Sequence, residues 1–96
     1  KLTLSLVTVS DSETPETRAA QVLKDGLNLM KAHAFEGESA IIKGVPAKAI
    51  LDHARRQKGD LIVMGAFGHS RIREMILGST TAQVVASAGL PVLLVR

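Results

Sequence analysis

The sequence predicts an α/β fold, an open parallel sheet covered by helices in a doubly wound, Rossmann-like arrangement. Strand-like and helix-like segments alternate along the chain, which is typical of parallel sheets with right-handed crossovers. The segment DLIVMG, residues 60–65, is apolar throughout after its Asp, and this predicts a parallel strand buried on both faces. Pro or Gly stands at most boundaries between the predicted elements. About four strands are visible in this pattern.

The first third of the chain predicts a strand followed by a long helix. Residues 2–9, LTLSLVTV, alternate Leu with other side chains and are rich in β-branched residues, so they predict a strand. Thr14 can serve as the N-cap of the helix, with Pro15 at its first position. The helix is expected to span about five turns because its apolar residues recur every three or four positions: Ala19, Leu23, Leu27, Met30 and Ala34.

The middle of the chain repeats this order. Residues 39–43, SAIIK, predict a short strand, and Pro46 starts the next helix. Basic residues near the end of that helix suit its dipole, and Gly59 is the expected stop. The inward face is predicted to consist of Ala47, Ile50, Leu51 and Ala54.

The last part of the chain predicts two more strands, residues 60–65 and 91–95. A short helical turn is predicted over residues 71–77. A further helix starts near Gly78 and is closed by Gly89. Pro91 at the start of the last strand removes only an outer hydrogen bond.

Length and composition limit the partners of this chain. Its 96 residues are enough for one small domain, and it has no Cys, which excludes disulfides and thiolate metal sites. The formal net charge of +3 is scattered and there is no Trp or Tyr, so no stacking platform for nucleic acid is expected. No apolar run approaches the roughly 20 residues of a membrane span, and a cytoplasmic location without a membrane partner is expected.

The segment GAFGHSRIREMILGSTT, residues 65–81, is unusually rich in small residues. Gly65 and Gly68 directly follow an apolar strand, where ligands of open α/β sheets bind and where glycine lets the backbone approach them. Gly78 and the hydroxyl residues after it lie at a helix N-terminus, whose unpaired N–H groups and positive dipole end attract phosphate. The hydroxyls there, those of Ser79, Thr80 and Thr81, can donate to phosphate oxygens or reach a bound Mg²⁺.

Each of these residues also has a purely structural interpretation. Gly65 can be a turn that ends a strand, and Gly78 can be a simple break. Ser79 is a good N-cap, and Thr80 with Gln83 has the spacing of a capping box. For any one residue taken alone the structural interpretation is favoured, and their joint spacing shifts the balance towards a ligand site.

The spacing of these glycines closely resembles the nucleotide signature of the universal stress protein family. That signature has the form G-x-x-G, nine residues, then G-S/T, and here it comprises Gly65, Gly68, Gly78 and Ser79. The segments GVPAKAIL, DLIVMG and PVLLV are similar to further landmarks of the family, in the same order. The resemblance covers nearly the whole chain and implies an ATP-binding α/β fold that often dimerises through its last strand, residues 92–95 here.

The resemblance also implies roles for individual residues. Gly65 and Gly68 would touch ribose and phosphate through backbone N–H groups. The phosphates would be held by Gly78, Ser79 and Thr81, with Thr80 between them. Three further residues would border the nucleotide: Val7 against adenine, Met64, and Phe67 in the glycine turn.

Two departures from the family pattern leave an alternative open. Members usually begin with a further strand–helix unit of roughly 30–40 residues, so the resemblance implies that the central first strand and its helix are absent from residues 1–96. Phe67 stands where nucleotide binders often have a polar residue, and the segment GAFGHSR looks more like that of tandem, two-domain members. Both departures favour an alternative function, a member that does not bind nucleotide and serves as a dimerisation or scaffolding module.

The sequence predicts no catalytic residue, and at most a weak ATPase. No Lys precedes Ser79 as in a P-loop. His33 and His53 fall on predicted helices without ligand spacing, whereas His69 and Arg71 lie in the loop and can either reach phosphate or face solvent. Charge at a turn and at a helix start explains the acidic residues after the first strand better than catalysis does: Asp11, Glu13 and Glu16. A true enzyme acting on the adenylate group would need a residue that this pattern does not supply.

Overall fold

The computed structural model describes residues 3–12, 14–65 and 78–95. Its seven elements follow the order β-α-β-α-β-α-β, as the sequence predicts. Within these residues all strand pairs are parallel, and the four strands form two two-stranded sheets. The chain divides into two compact units, Lys1–Pro46 and Ala47–Arg96, and each is described by itself. The prediction of a single domain over residues 1–96 stays a prediction.

The first unit contains β1 (Leu4–Ser10), α1 (Glu16–Ala32) and β2 (Gly37–Lys43). β1 and β2 pair in register along their whole length, from Leu4 opposite Gly37 to Ser10 opposite Lys43. β2 begins two residues before the predicted position. The two strands are parallel because the chain returns through α1, which is long enough for a crossover.

Helix α1 covers 17 residues, which is close to the predicted five turns. Ala19 and Leu23 of its apolar stripe are buried, and Leu27 and Met30 are half-buried. Its start differs from the prediction, because Pro15 is the N-cap and no side chain caps this terminus. Thr14 instead belongs to the turn that follows β1.

The second unit contains α2 (Pro46–Arg56), β3 (Ile62–Gly65), α3 (Ser79–Ser87) and β4 (Val92–Val95). Pro46 is the first residue of α2, as predicted. The helix ends at Arg56, and Lys58 adopts a positive φ of 53°, so the left-handed residue that ends this segment is Lys58 rather than Gly59. Gly89 has a φ of 69° after α3, a conformation that favours glycine.

The core of the second unit lies between its two helices and one face of the β3–β4 sheet. The predicted inward residues of α2 contribute to this core. Ala47 and Leu51 are buried in it, and Ile50 and Ala54 are partly buried and pack against it. The remaining buried members come from β3 and from α3 with the residue after it: Ile62, Val84 and Ala88.

Burial of β3 on both faces was predicted, and the structure differs at Val63. Ile62 is buried in the core, whereas Val63 is 58% exposed. Successive side chains of a strand point to opposite faces, and the helices of this unit pack on the face that holds Ile62. The predicted helical turn over 71–77 lies outside the described residues. In the part of the chain that the structure describes, no helix is long and apolar enough to cross a membrane.

Candidate functional site

The end of β3 and the first turn of α3 are joined by one hydrogen bond. The hydroxyl of Thr81 donates to the backbone carbonyl oxygen of Gly65 over 2.9 Å. Gly65 is the last residue of β3, and Thr81 is the third residue of α3. Only 4% of Thr81 is exposed. The structure therefore brings together two parts of the predicted signature, Gly65 and the residues after Gly78.

The N-terminus of α3 presents backbone donors. Gly78 is the N-cap and has no side chain with which to cap the helix. The first hydrogen bond of the helix runs from the N–H of Ala82 to the carbonyl of Gly78 over 3.0 Å. The N–H groups of Ser79, Thr80 and Thr81 precede that bond, so they have no partner within the helix. Three adjacent amides with the positive end of a helix dipole form a surface that suits an anion.

The hydroxyls after Gly78 differ in their surroundings. Ser79 is exposed and Thr80 is half-buried, whereas Thr81 is buried. The sequence suggested Ser79 or Thr80 as the N-cap, whereas the N-cap is Gly78 and the helix begins at Ser79. The Thr81 hydroxyl hydrogen is already given to Gly65, so this residue can offer its backbone N–H to a ligand but not that hydrogen.

Backbone conformation does not explain Gly65 and Gly78, the two signature glycines that the structure describes. Gly78 has φ −64° and ψ 149°, which any residue adopts. Among the described residues the glycines with positive φ are Gly44 and Gly89, and Gly65 is an ordinary strand residue. A requirement for glycine at 78 would therefore come from the close approach of another group to its backbone.

Met64 lies in β3 one residue before Gly65. It is half-buried, packs against the core of the second unit and pairs in register with Leu94 of β4. Its predicted place at the border of a nucleotide stays a prediction. Phe67 and Gly68 lie outside the described residues, as do His69 and Arg71.

Val7 lies in β1, half-buried and paired in register with Ala40 of β2. It belongs to the first unit, and its contact with adenine stays a prediction. Asp11 and Thr14 close a tight turn directly after the same strand. The Thr14 N–H donates to Asp11 Oδ1 over 2.8 Å, and the Asp11 N–H donates to the Thr14 carbonyl over 3.0 Å.

Ser10 strengthens this turn. Its buried hydroxyl donates to the same Thr14 carbonyl over 3.0 Å. Glu16 lies in the first turn of α1 and forms an ion pair with Lys43 over 3.6 Å. Asp11 and Glu16 thus take the turn and helix-start roles that the sequence favoured for them, whereas Glu13 lies outside the described residues.

Among the described residues of the second unit, two ion pairs lie on α2. Lys48 Nζ is 2.8 Å from one carboxylate oxygen of Asp52, and Arg55 is 3.2 Å from the other. The hydrogen bond from Lys48 is the main reason that the pKa of Asp52 lies below its ordinary value of 3.8, and the positive charges of Lys48, Arg55 and Arg56 lower it further. The lowered pKa of Asp52 is explained by ion pairs on the helix surface and gives no reason to assign this carboxylate a catalytic role.

Metal ligands do not cluster in the described ranges. Over residues 3–12, 14–65 and 78–95, no three His, Asp or Glu side chains are close enough to hold a metal ion. His33 is the exposed C-cap of α1, and His53 is a half-buried residue of α2.

The residue whose role sequence reasoning missed is Thr81, as a link between strand and helix. It was grouped with Ser79 and Thr80 as a phosphate contact because the three hydroxyls are adjacent. The spacing of apolar residues could have revealed this role. Thr81, Val84 and Ala88 are three and four residues apart, so they lie on the same side of the helix. A hydroxyl on that inward side needs a buried partner.

Together, fold and site define a type of α/β protein in which strands pair in parallel and a helix begins at a glycine beside the carboxyl end of a parallel strand. Residues 2–96 match the Universal stress protein family, and the chain belongs to that family. The Bacillus subtilis stress response protein NhaX is 30% identical over 93 residues, which cover 92% of this chain and 56% of that protein.

Solved structures of relatives share the fold. The structure of MJ0577, a protein of Methanocaldococcus jannaschii, superposes with a TM-score of 0.80 at 25% identity and covers 97% of this chain and 74% of that one. A universal stress protein in complex with cAMP superposes with a TM-score of 0.75 at 29% identity, covering 98% and 73%. The chain spans 33% to 56% of the length of the first curated relatives that it matches.

Proposed function

We propose that this chain is the ATP-binding part of a stress-response protein, which acts through nucleotide-dependent conformation or association. The observation that supports this most is the N-terminus of α3, with Gly78 as N-cap and three amides free of helical partners beside the end of β3. A triphosphate is the kind of ligand that such a terminus favours. The relative solved with cAMP shows that a member of the family accepts an adenine nucleotide.

The phosphates would lie against Gly78 and Ser79, with the amides of Thr80 and Thr81 completing the contact. The exposed Ser79 hydroxyl can donate to a phosphate oxygen. A Mg²⁺ would be held mainly by the phosphates, because Mg²⁺ in nucleotide sites takes few protein ligands. As the family resemblance implies, Gly65 and Gly68 are proposed to touch ribose and phosphate through backbone N–H groups and Val7 to pack on adenine. Met64 and Phe67 are proposed to border the nucleotide.

Calorimetric titration of the protein at its natural length with Mg-ATP tests this function. Saturable binding at a stoichiometry of one per chain is expected. A parallel titration with inorganic triphosphate separates the phosphate contacts from those of adenosine, because the helix terminus alone should retain part of the affinity. Absence of any binding heat, together with no protection against thermal unfolding at millimolar Mg-ATP, would contradict the proposal.

We also propose that two copies associate through residues 92–95. In the described residues β4 has one strand neighbour, β3, which leaves it at the edge of that sheet. Leu93, Leu94 and Val95 are 54%, 38% and 50% exposed. Apolar edge strands readily pair with another strand, and a two-fold axis would make the pairing antiparallel.

A second candidate function uses the same edge strand without nucleotide, as a dimerisation or scaffolding module. The exposed apolar residues of β4 favour it, and so does the apolar Phe67. The two functions differ in one measurable respect: for the scaffold, association does not depend on Mg-ATP. A weak ATPase activity and a cytoplasmic location stay predictions.

A further inference from the structure

We infer that Thr81 is a positioning residue, which fixes the first turn of α3 at the carboxyl end of β3 so that the amides of that turn can reach one anionic ligand together. The inference rests on the proposed function for its ligand, and on the structure for the geometry. It gives Thr81 a role different from that of the two hydroxyl residues before it.

Burial along α3 shows why one residue has this role. Thr81 and Val84 are the buried residues of the helix, and Ala88 follows directly after its end. Val84 and Ala88 anchor the middle and the end of the helix in the apolar core. The first turn has only Thr81 on this inward side, and its N-cap, Gly78, contributes no side chain. Among the described residues, the Thr81 contact is therefore the side-chain contact that ties the helix terminus to β3.

The chemistry of the contact is directional. An apolar side chain at 81 would fill the same space, since Val has nearly the shape of Thr. A buried hydroxyl instead is costly to desolvate unless it is hydrogen-bonded, and here it donates to one defined acceptor, the Gly65 carbonyl, over 2.9 Å. A hydrogen bond constrains distance and angle more tightly than apolar packing does. Thr81 thus sets where the α3 amides lie relative to Gly65.

Hydrogen exchange and ligand binding on three variants test this inference. Thr81→Val removes the hydroxyl and keeps the shape, Thr81→Ser keeps the hydroxyl, and Ser87→Ala removes an exposed hydroxyl from the last turn of the same helix. Exchange of the Ala82 amide, the first hydrogen-bonded donor of α3, should be roughly tenfold faster in Thr81→Val, because loss of a local contact opens the turn. Thr81→Ser and Ser87→Ala should stay close to the wild type.

Mg-ATP affinity of the protein at natural length should follow the same order, with a loss of roughly tenfold in Thr81→Val and rescue in Thr81→Ser. Unchanged Ala82 exchange in Thr81→Val would overturn the inference, as would acceleration spread evenly over α2 and α3. Faster local exchange with unchanged ATP affinity would reduce Thr81 to a purely structural residue and also overturn it. A wild type that does not bind ATP contradicts the proposed function, and the exchange rates then decide alone whether Thr81 holds the turn.

Discussion

Leu6 of β1 fills the space next to Gly26 of α1. A Cβ at position 26 would lie 2.8 Å from Leu6 Cδ2, and the same methyl-bearing side chain supplies the next two nearest atoms. The glycine in the middle of the longest helix is therefore explained by the close approach of one strand side chain. A glycine inside a helix costs about 1 kcal/mol relative to alanine, and the approach of Leu6 gives the reason for it here.

Gly26→Ala should raise the free energy of unfolding by less than the full helix-propensity difference of about 1 kcal/mol, because Leu6 must rotate away. Ala20→Gly at an exposed position of the same helix measures the full difference. In a Leu6→Val background, which lacks the crowding methyl group, Gly26→Ala should raise the free energy of unfolding by the full difference. Urea unfolding of these variants checks the prediction, and an equal gain in both backgrounds would contradict it.

Gly37→Ala should be clearly destabilising, by roughly 1–3 kcal/mol. A Cβ at Gly37 would overlap the carbonyl oxygen of Leu4, its partner in the β1–β2 ladder, and backbone atoms cannot move aside as Leu6 can. Glu38→Ala, at the exposed next position of the same strand, is the control and should change little. Chemical denaturation compares them, and similar midpoints for both variants would count against a tight contact at Gly37.

Ser79→Asp should weaken Mg-ATP binding at least tenfold, about 1.4 kcal/mol, because a carboxylate would occupy the place of the phosphates. The helix should stay intact, since an acidic residue in the first turn suits its dipole. Gly78→Val should also weaken binding, by bulk alone, because its backbone conformation is open to any residue. Calorimetric titration measures the Mg-ATP affinity of each variant, and thermal melting shows whether the fold is kept. Unchanged affinity in both variants would mean that the glycine and hydroxyl residues only start a helix.

Lys48→Met should raise the pKa of Asp52 towards its ordinary value of 3.8, because the Lys48 hydrogen bond is the largest cause of the lowered pKa. Arg55→Met should raise it less. A carboxyl whose pKa is lowered in the folded protein stabilises the fold above its ordinary pKa, and this contribution is lost as pH falls through the lowered value. NMR titration of Asp52 in the wild type and the two variants measures both pKa changes. A larger increase in Arg55→Met than in Lys48→Met would contradict the assignment of Lys48 as the main cause.

Leu94→Lys should shift a dimer towards monomer, because a charge on the edge strand opposes pairing with a second copy. Leu29→Lys is the matched control, since Leu29 is 63% exposed on α1 and lies outside the proposed interface. Light scattering at several concentrations, with circular dichroism to confirm that both variants fold, gives the result. Equal association of the two variants would place the interface elsewhere.

Much of the fold could be predicted from the sequence, because its signals are local. Apolar periodicity indicated α1 and the inward face of α2, and Pro46 and Gly89 mark a helix start and a helix end at the predicted places. The alternation of elements predicted parallel strands. These signals depend on one or two turns of chain at a time and need no knowledge of tertiary contacts.

The features that could not be predicted depend on residues far apart in sequence. Nothing near Gly26 indicates Leu6, and nothing near Thr81 indicates a carbonyl 16 residues earlier. The N-cap of α3 was placed on a hydroxyl residue because such residues are the usual caps, and the structure uses Gly78. The exposure of Val63 follows from which face the helices cover, which an apolar run does not reveal.

Helix α3 contains no charged side chain, whereas α1 has Glu16 in its first turn and Lys31 in its last. The dipole of α3 is therefore not compensated by its own residues, and a bound anion would be its counter-charge. Added salt screens such a terminus over about 10 Å at 0.1 M. Raising the ionic strength should accordingly lower the stability of the anion-bound protein more than that of the ligand-free protein. Salt therefore acts as a competitor of the ligand.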